Sequence, residues 1–372
     1  MSSAPFVPPP YPYDRLNQFR AVADEHDGGV VDLSVGTPTD PPPQFAVDVL
    51  GSSGTERGYP ASVGTASFRA AAAAWMKRRL GVDVAPEAVA ACIGTKEFVA
   101  TTPQWLRLRS PARDTILYPA VSYPTYEMGA TLAGCRAVAV GVDDAWRIDV
   151  STISPDDARR ALCLWVNTPA NPTGALDDLG TIAAWGRAHD VPVFSDECYI
   201  ELTWDGAPRT ILEHGVDGLI AVHSLSKRSN LAGLRAGFYA GDPDLVHYLS
   251  EVRKHAGFMT PGPVQAVAAA ALGDDVHVDE QRSRYAERLE FFRDVLGRAG
   301  IKCEPPGGSF YLWAEAPDGD AWAATEMLAR DGGVLVSPGD FYGAAGARHL
   351  RIAMVQPVQR LQLVADRLAA HS

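Results

Sequence analysis

Lys227 lies in the stretch HSLSKRSNLAGLRAGF (223–238), just after the apolar run GLIAV and shortly before AGFYA. A surface lysine needs no such company, whereas a lysine held at one place and partly desolvated does. Three other stretches carry chemistry that matches it: GTKEF (94–98), NTPANPTG (167–174) and SDECY (195–199). A lysine amine can form a Schiff base with an aldehyde. The Asp196 carboxylate can pair with a protonated pyridine nitrogen. The Asn171 amide and the Tyr199 hydroxyl can hydrogen-bond a phenolic oxygen on the same ring. Free N–H groups at a helix start over Gly94, Thr95 and Lys96 suit a phosphate. Ser224, Ser226 and Arg235 can complete such a site, the arginine through a forked contact. Alone, NPTG is also good turn chemistry. It is the set together that points to an aromatic aldehyde cofactor.

The elements that must position these residues read as alternating β-like and helical runs. ILYPA (116–120), RAVAV (136–140), ALCLWVN (161–167), VPVFSDE (191–197), LIAVHS (219–224) and AGFYAG (236–241) are short and nearly continuously apolar. Helical segments between them predict a mostly parallel sheet covered on both faces, with its ligand crevice at the strand ends. Helices are expected over 64–80, 177–189, 243–272 with an interruption at 261–263, 279–299 and 357–370. Short strands near 310–315, 333–338 and 349–354 predict a second, smaller α+β unit. The expected division is a large domain over 41–271 and a small domain from 1–40 and 272–372.

The chain has 372 residues, a formal net charge of −12 and 21% charged residues. That acidic balance argues against nucleic-acid binding. Apolar runs such as AVAAAAL (266–272) are too short to span a membrane. Cys92, Cys135, Cys163, Cys198 and Cys303 form no C-x-x-C pair. With no basic or apolar leader at the N-terminus, they read as reduced thiols of a cytoplasmic protein. No His/Cys grouping has metal-site spacing, so no metal is expected.

The order GTKEF, YPTY, NPTG, SDECY, SLSK, GLRAGF and LRIAM resembles the pyridoxal-phosphate-dependent aminotransferases of fold type I, in the class I/II group, over nearly the whole chain. The resemblance implies a large domain whose mostly parallel seven-stranded sheet is sandwiched by helices, and a cofactor of pyridoxal 5′-phosphate. It implies that Lys227 is the cofactor-linked lysine and proton shuttle, with Asp196 at the pyridine nitrogen and Asn171 and Tyr199 at the phenolic oxygen. Tyr123 would stack on the ring; Gly94, Thr95, Lys96, Ser224, Ser226 and Arg235 would form the phosphate cup. Arg351 would clamp the substrate α-carboxylate beside Gly36 and Asn171. Tyr59 would reach the phosphate of a neighbouring subunit, implying a homodimer with shared sites. The chemistry implied is ping-pong transfer of an amino group between an amino acid and a 2-oxo acid. Longer stretches, among them DLSVGTPTDPPP and RKHAGFMTPGPVQA, closely resemble actinobacterial succinyldiaminopimelate transaminases, implying N-succinyl-L,L-diaminopimelate and 2-oxoglutarate as substrates. Arg15, Arg20, Arg228, Arg253 and Lys254 are the candidates for its extra carboxylates. Aspartate or aromatic aminotransferases and a β-lyase of the same fold are the alternatives. An aminotransferase-like regulatory domain is more remote.

Overall fold

Strand β1 (Val31–Asp32) is the first strand of the computed structural model, which describes residues 5–371. Seven strands then build the main sheet: β2 (Val89–Cys92), β3 (Thr115–Pro119), β4 (Arg136–Val140), β5 (Ala161–Asn167), β6 (Val193–Asp196), β7 (Leu219–Ser224) and β8 (Gly237–Gly241). Their order is β2-β8-β7-β6-β5-β3-β4, and within this sheet β8 alone runs against its neighbours. Every residue of β5, β6 and β7 is buried, as strands covered on both faces require. Alternate side chains feed two cores. Leu164 and Val166 of β5 join Phe68 and Trp75 on one face, while Trp165 joins Phe98, Phe194 and Tyr239 on the other. The edge strand β4 leaves Arg136, Ala137 and Ala139 exposed.

The helix expected over 64–80 forms as an α-helix over Ala66–Trp75. The Thr65 hydroxyl caps it by accepting the Phe68 N–H at 3.3 Å. It continues as a wider turn over Met76–Leu80 and stops at Gly81, whose φ of 72° suits glycine. The 243–272 stretch divides into helices Pro243–His255 and Gly262–Gly273. The long amphipathic helix runs over Val276–Arg298 and the last over Val358–Ala370.

The remaining strands are β9 (Tyr311–Glu315), β10 (Val334–Leu335), β11 (Ser337–Pro338) and β12 (His349–Ala353). They form an antiparallel sheet β11-β12-β9 and a parallel β1-β10 pair. Val31 and Leu33 share a core with Phe292, Leu296, Leu312, Leu350 and Leu361, so the two ends of the chain pack as one unit. Among the described residues no helix is long and apolar enough to cross a membrane.

Candidate active site

The ends of β2, β5, β6 and β7 open onto one cavity of about 260 Å³. The antiparallel strand β8 serves it as directly as its parallel neighbours do. Gly237, its first residue, pairs with Ser224 at the end of β7 and with Cys92 at the end of β2. Arg235, two residues earlier, therefore arrives at the same edge as Lys227 and Gly94. A Cβ on Gly237 would meet the His223 carbonyl at 2.9 Å and the Cys92 Sγ at 3.1 Å, so glycine lets the three strand ends close together.

Local caps fix the individual side chains. The Ser224 hydroxyl accepts the Ser226 N–H at 3.1 Å and starts the single turn Leu225–Arg228 that carries Lys227. Gly94 precedes helix Thr95–Arg109 with a φ of 72° and a ψ of 154°, a conformation that favours glycine. A Cβ there would lie 2.2 Å from an Arg235 guanidinium nitrogen. Arg235 itself adopts a φ of 55° and donates to the Ala232 carbonyl at 2.8 Å. The Asn167 side chain ties two stretches together: its Nδ2 donates to the Asp196 carbonyl, and its Oδ1 accepts the Asn171 N–H, both at 2.8 Å. The Asp196 carboxylate accepts the Tyr126 hydroxyl at 3.0 Å and the Cys198 N–H at 3.3 Å.

The opposite wall comes from the smaller unit. β12 carries Arg351 between Trp313 of β9 and Ser337 of β11. Its guanidinium donates to Asn171 Oδ1 at 3.0 Å, to the Tyr13 hydroxyl at 3.2 Å and to the Ser34 carbonyl. It lies 4.3 Å from the Tyr311 ring centroid and 4.7 Å from that of Tyr342. Tyr311 and Tyr199 share a hydroxyl–hydroxyl bond of 2.9 Å. The Lys227 amine donates to the Gly36 carbonyl, which joins the two walls.

Burial sets the protonation of the two central groups. It lowers the Lys227 ammonium to about 8, with Arg351 and Arg235 pushing the same way. Burial raises the Asp196 carboxyl above the ordinary aspartate range, and the Tyr126 hydroxyl and Cys198 partly offset it. A cation placed against Asp196 would favour its charged form.

Of the residues singled out in the sequence, Gly36, Thr95, Lys96, Tyr123, Asn171, Asp196, Tyr199, Ser224, Ser226, Lys227, Arg235 and Arg351 all line the cavity. Gly94 stands behind it as the helix cap. Tyr59 does not reach the cavity of its own chain and is fully exposed. The five candidates for distal carboxylates are corrected, because none lines the cavity. Arg253 is buried on Glu97, and Arg228 is buried with Glu201. Arg15 pairs with Asp340, Arg20 with Asp32 and Lys254 with Glu251. Tyr11, Tyr13, Tyr311 and Asn167 line the cavity without having been singled out. Asn167, the first residue of NTPANPTG, was within reach of sequence reasoning as a strand-end polar group; the tyrosines carried no local signal.

These groups fit a phosphorylated pyridine aldehyde. A primary amine of lowered pKa and a buried carboxylate line the same cavity. A guanidinium, two serine hydroxyls and a helix N-terminus converge at one end of it.

The comparisons with known proteins agree. A family model described as aminotransferase class I and II matches residues 28–368. The 4-dedimethylamino-4-oxo-anhydrotetracycline transaminase OxyQ of Streptomyces rimosus is 42% identical over 97% of this chain and 99% of its own. An LL-diaminopimelate aminotransferase of Syntrophobacter fumaroxidans is 32% identical over 97% of this chain and 96% of its own. A solved structure titled probable N-succinyldiaminopimelate aminotransferase, from Thermus thermophilus, superposes with a TM-score of 0.87 at 28% identity, covering 97% of this chain and 100% of that one. Members of this family depend on pyridoxal phosphate and move amino groups between amino acids and 2-oxo acids. The chain belongs to the class I and II aminotransferases and is a pyridoxal-phosphate-dependent enzyme of fold type I.

Proposed function

We propose that this aminotransferase takes N-succinyl-L,L-diaminopimelate as amino donor and 2-oxoglutarate as acceptor, in lysine and diaminopimelate synthesis. The observation that carries the reading is a free cation at the cavity mouth. The Lys96 ammonium lies 5.6 Å from the Tyr11 ring centroid and 5.8 Å from that of Tyr123. No ion pair engages it among the described residues, and it suits a donor with an anionic end beyond its α-carboxylate. The diaminopimelate names among the similar proteins support the same choice. A second reading follows from the 42% identity to OxyQ, namely a bulky polycyclic ketone as acceptor.

When bound, pyridoxal phosphate supplies an electron sink for the bond broken at the amino acid Cα. The chain's own residues do the rest in this proposal. Lys227 holds the cofactor covalently and, once released, moves the proton at Cα with its amine. Asp196 stays charged against the ring nitrogen. Asn171 and Tyr199 donate to the phenolic oxygen, and the Tyr123 ring covers one face. Thr95, Lys96 through its backbone, Ser224, Ser226 and Arg235 hold the phosphate at the cap set by Gly94. Arg351, with Asn171 and the Gly36 backbone beside it, orients the α-carboxylate by a forked contact.

The reading includes a large domain over 41–271, a small one from 1–40 and 272–372, and a cytoplasmic homodimer in which Tyr59 completes the neighbouring phosphate site. The test is the visible band of the holoenzyme, followed during single additions of N-succinyl-L,L-diaminopimelate, glutamate or OxyQ's oxo-anhydrotetracycline after amination. Bleaching by the succinylated compound and by glutamate is expected. Bleaching by glutamate without response to the succinylated compound discards this donor. Lys96→Met should raise KM for the succinylated donor by about tenfold, the order of one lost charge contact.

A further inference from the structure

Helix Thr95–Arg109 carries Glu97 in its first turn. A carboxylate there suits the helix dipole but competes with any other anion brought to the same N–H groups. One side chain answers that conflict. Arg253, 1% exposed, donates to both Glu97 oxygens, from Nη1 at 2.6 Å and from Nη2 at 2.8 Å. It rises from helix Pro243–His255, with its guanidinium 5.4 Å from the Phe98 ring centroid and 5.1 Å from that of Phe258. Glu97 in turn accepts the Ile93 N–H at 3.2 Å and the Thr101 hydroxyl at 3.0 Å. Ile93 and Gly94 form the turn between β2 and the helix, and the Arg235 guanidinium rests against Gly94. The Cys92 thiol at the end of β2 is surrounded by the same charges. Burial raises it most, and it senses Arg253, Glu97, Arg235 and Asp196 in that order. Neither Arg253 nor Glu97 lines the cavity.

We propose that Arg253 is a positioning residue for the cofactor phosphate: through Glu97 it fixes the Ile93–Gly94 turn, and it cancels the carboxylate in the first turn of the helix that receives the phosphate. The inference rests on the assignment of Thr95, Ser224, Ser226 and Arg235 to that phosphate. Its charge logic has a sign. Removing Arg253 uncovers a negative charge near the phosphate, whereas removing the Glu97 charge uncovers a positive one.

The experiment titrates apoprotein with pyridoxal phosphate and, separately, with pyridoxal, reading tryptophan fluorescence and the visible band. Arg253→Met should weaken pyridoxal phosphate about tenfold, the order of one poorly screened charge, while pyridoxal stays within about twofold. Glu97→Gln should leave pyridoxal phosphate within about threefold of the parent or tighten it. Combining the two substitutions should restore most of the loss. Arg235→Gln is the control, expected to weaken pyridoxal phosphate alone. If Arg235→Gln is selective and Arg253→Met weakens both compounds equally or neither, the inference is overturned and the phosphate assignment stands. If Arg235→Gln is itself not selective, the phosphate assignment fails and the inference with it. Should Arg253→Met not fold, Glu97→Gln decides: a loss of more than about tenfold confined to pyridoxal phosphate contradicts the charge logic.

Discussion

Gly36→Ala tests the wall where the N-terminal segment meets β9. A Cβ at Gly36 would lie 2.0 Å from the Tyr311 hydroxyl oxygen, 2.9 Å from Cζ and 3.1 Å from Cε1. Gly36 has no left-handed φ, so the effect is steric rather than backbone strain. The ring cannot swing aside freely. It is 1% exposed, bonded to Tyr199 at 2.9 Å and stacked under Arg351 at 4.3 Å. Overpacking of this kind costs about 1–3 kcal/mol, and losing the Tyr199–Tyr311 bond adds about 1 kcal/mol. Expressed in the transition state, a total of about 2–4 kcal/mol is roughly a 30- to 900-fold fall in kcat/KM. The Gly36→Ala/Tyr311→Phe double variant removes the 2.0 Å contact but keeps the 2.9 Å one. Recovery should therefore be partial. The assay is single-turnover amino transfer from donor to holoenzyme, with Tm measured alongside. Parent-like kcat/KM and Tm for Gly36→Ala, or a double variant no better than the single one, would refute the packing argument.

Other expectations follow from protonation and from the carboxylate clamp. Since burial lowers Lys227 to about 8, the rate at which apoprotein binds pyridoxal phosphate covalently should rise with pH up to about 8 and then level; a flat profile from about pH 6 to 9 contradicts it. Burial raises the Glu197 carboxyl from 4.5 to about 8 and the Asp177 carboxyl from 3.8 to about 7, so the stability tied to their protonated forms is lost as pH rises toward those values. His223, lowered from 6.5 to about 3 by burial, acts with the opposite slope below 6.5, which leaves about pH 6.5–8 as the clear window. Apoprotein Tm should fall across that window, and Glu197→Gln should flatten the fall; an unchanged slope in the variant removes Glu197 from the account. Arg351→Lys breaks the fork to Asn171 and Tyr13 and should lower kcat/KM about a hundredfold without loss of cofactor, as the retained band would show. Tyr13→Phe removes the hydroxyl shared with Arg351 and Tyr342 and should raise donor KM a few-fold with kcat nearly unchanged; an equal fall in kcat would instead give Tyr13 a part in the chemical step.

The cofactor side of the cavity was legible because parallel strands deliver their last residues to one edge. Asn167, Asp196 and Ser224 each end a fully buried apolar run, and such runs announce themselves in sequence. β8 was read as one more sheet strand, but its reversed direction was not, although that direction is what brings Arg235 to Gly94. The distal arginines failed for a different reason. A sequence shows a positive charge but not its partner: Arg253 is committed to the half-buried Glu97 and Arg228 to the buried Glu201, each distant in the chain. Tyr11, Tyr13 and Tyr311 were invisible for the converse reason. Their place depends on how the first residues fold over β9 and β12, which no local pattern encodes.

Net charge misleads in the same way at the scale of the whole molecule. A chain of −12 is, by that number alone, a poor host for anions. Yet the cavity gathers Lys96, Lys227, Arg235 and Arg351 against the single carboxylate of Asp196. Buried strands and tyrosine rings limit screening around Arg351 and Lys227, while the acidic excess lies outside the cavity and is damped by salt within about 10 Å. Burial, with Arg351 and Arg235 adding to it, penalises the charged form of Lys227 in the same enclosure. Binding an anionic cofactor and a carboxylate substrate relieves that penalty. Arg351 is buried whereas Lys96 and Arg235 are exposed, so affinity for a carboxylate at Arg351 should fall less steeply with ionic strength than affinity for pyridoxal phosphate at Arg235. An equal salt dependence for the two, measured by titration, would contradict the burial of Arg351.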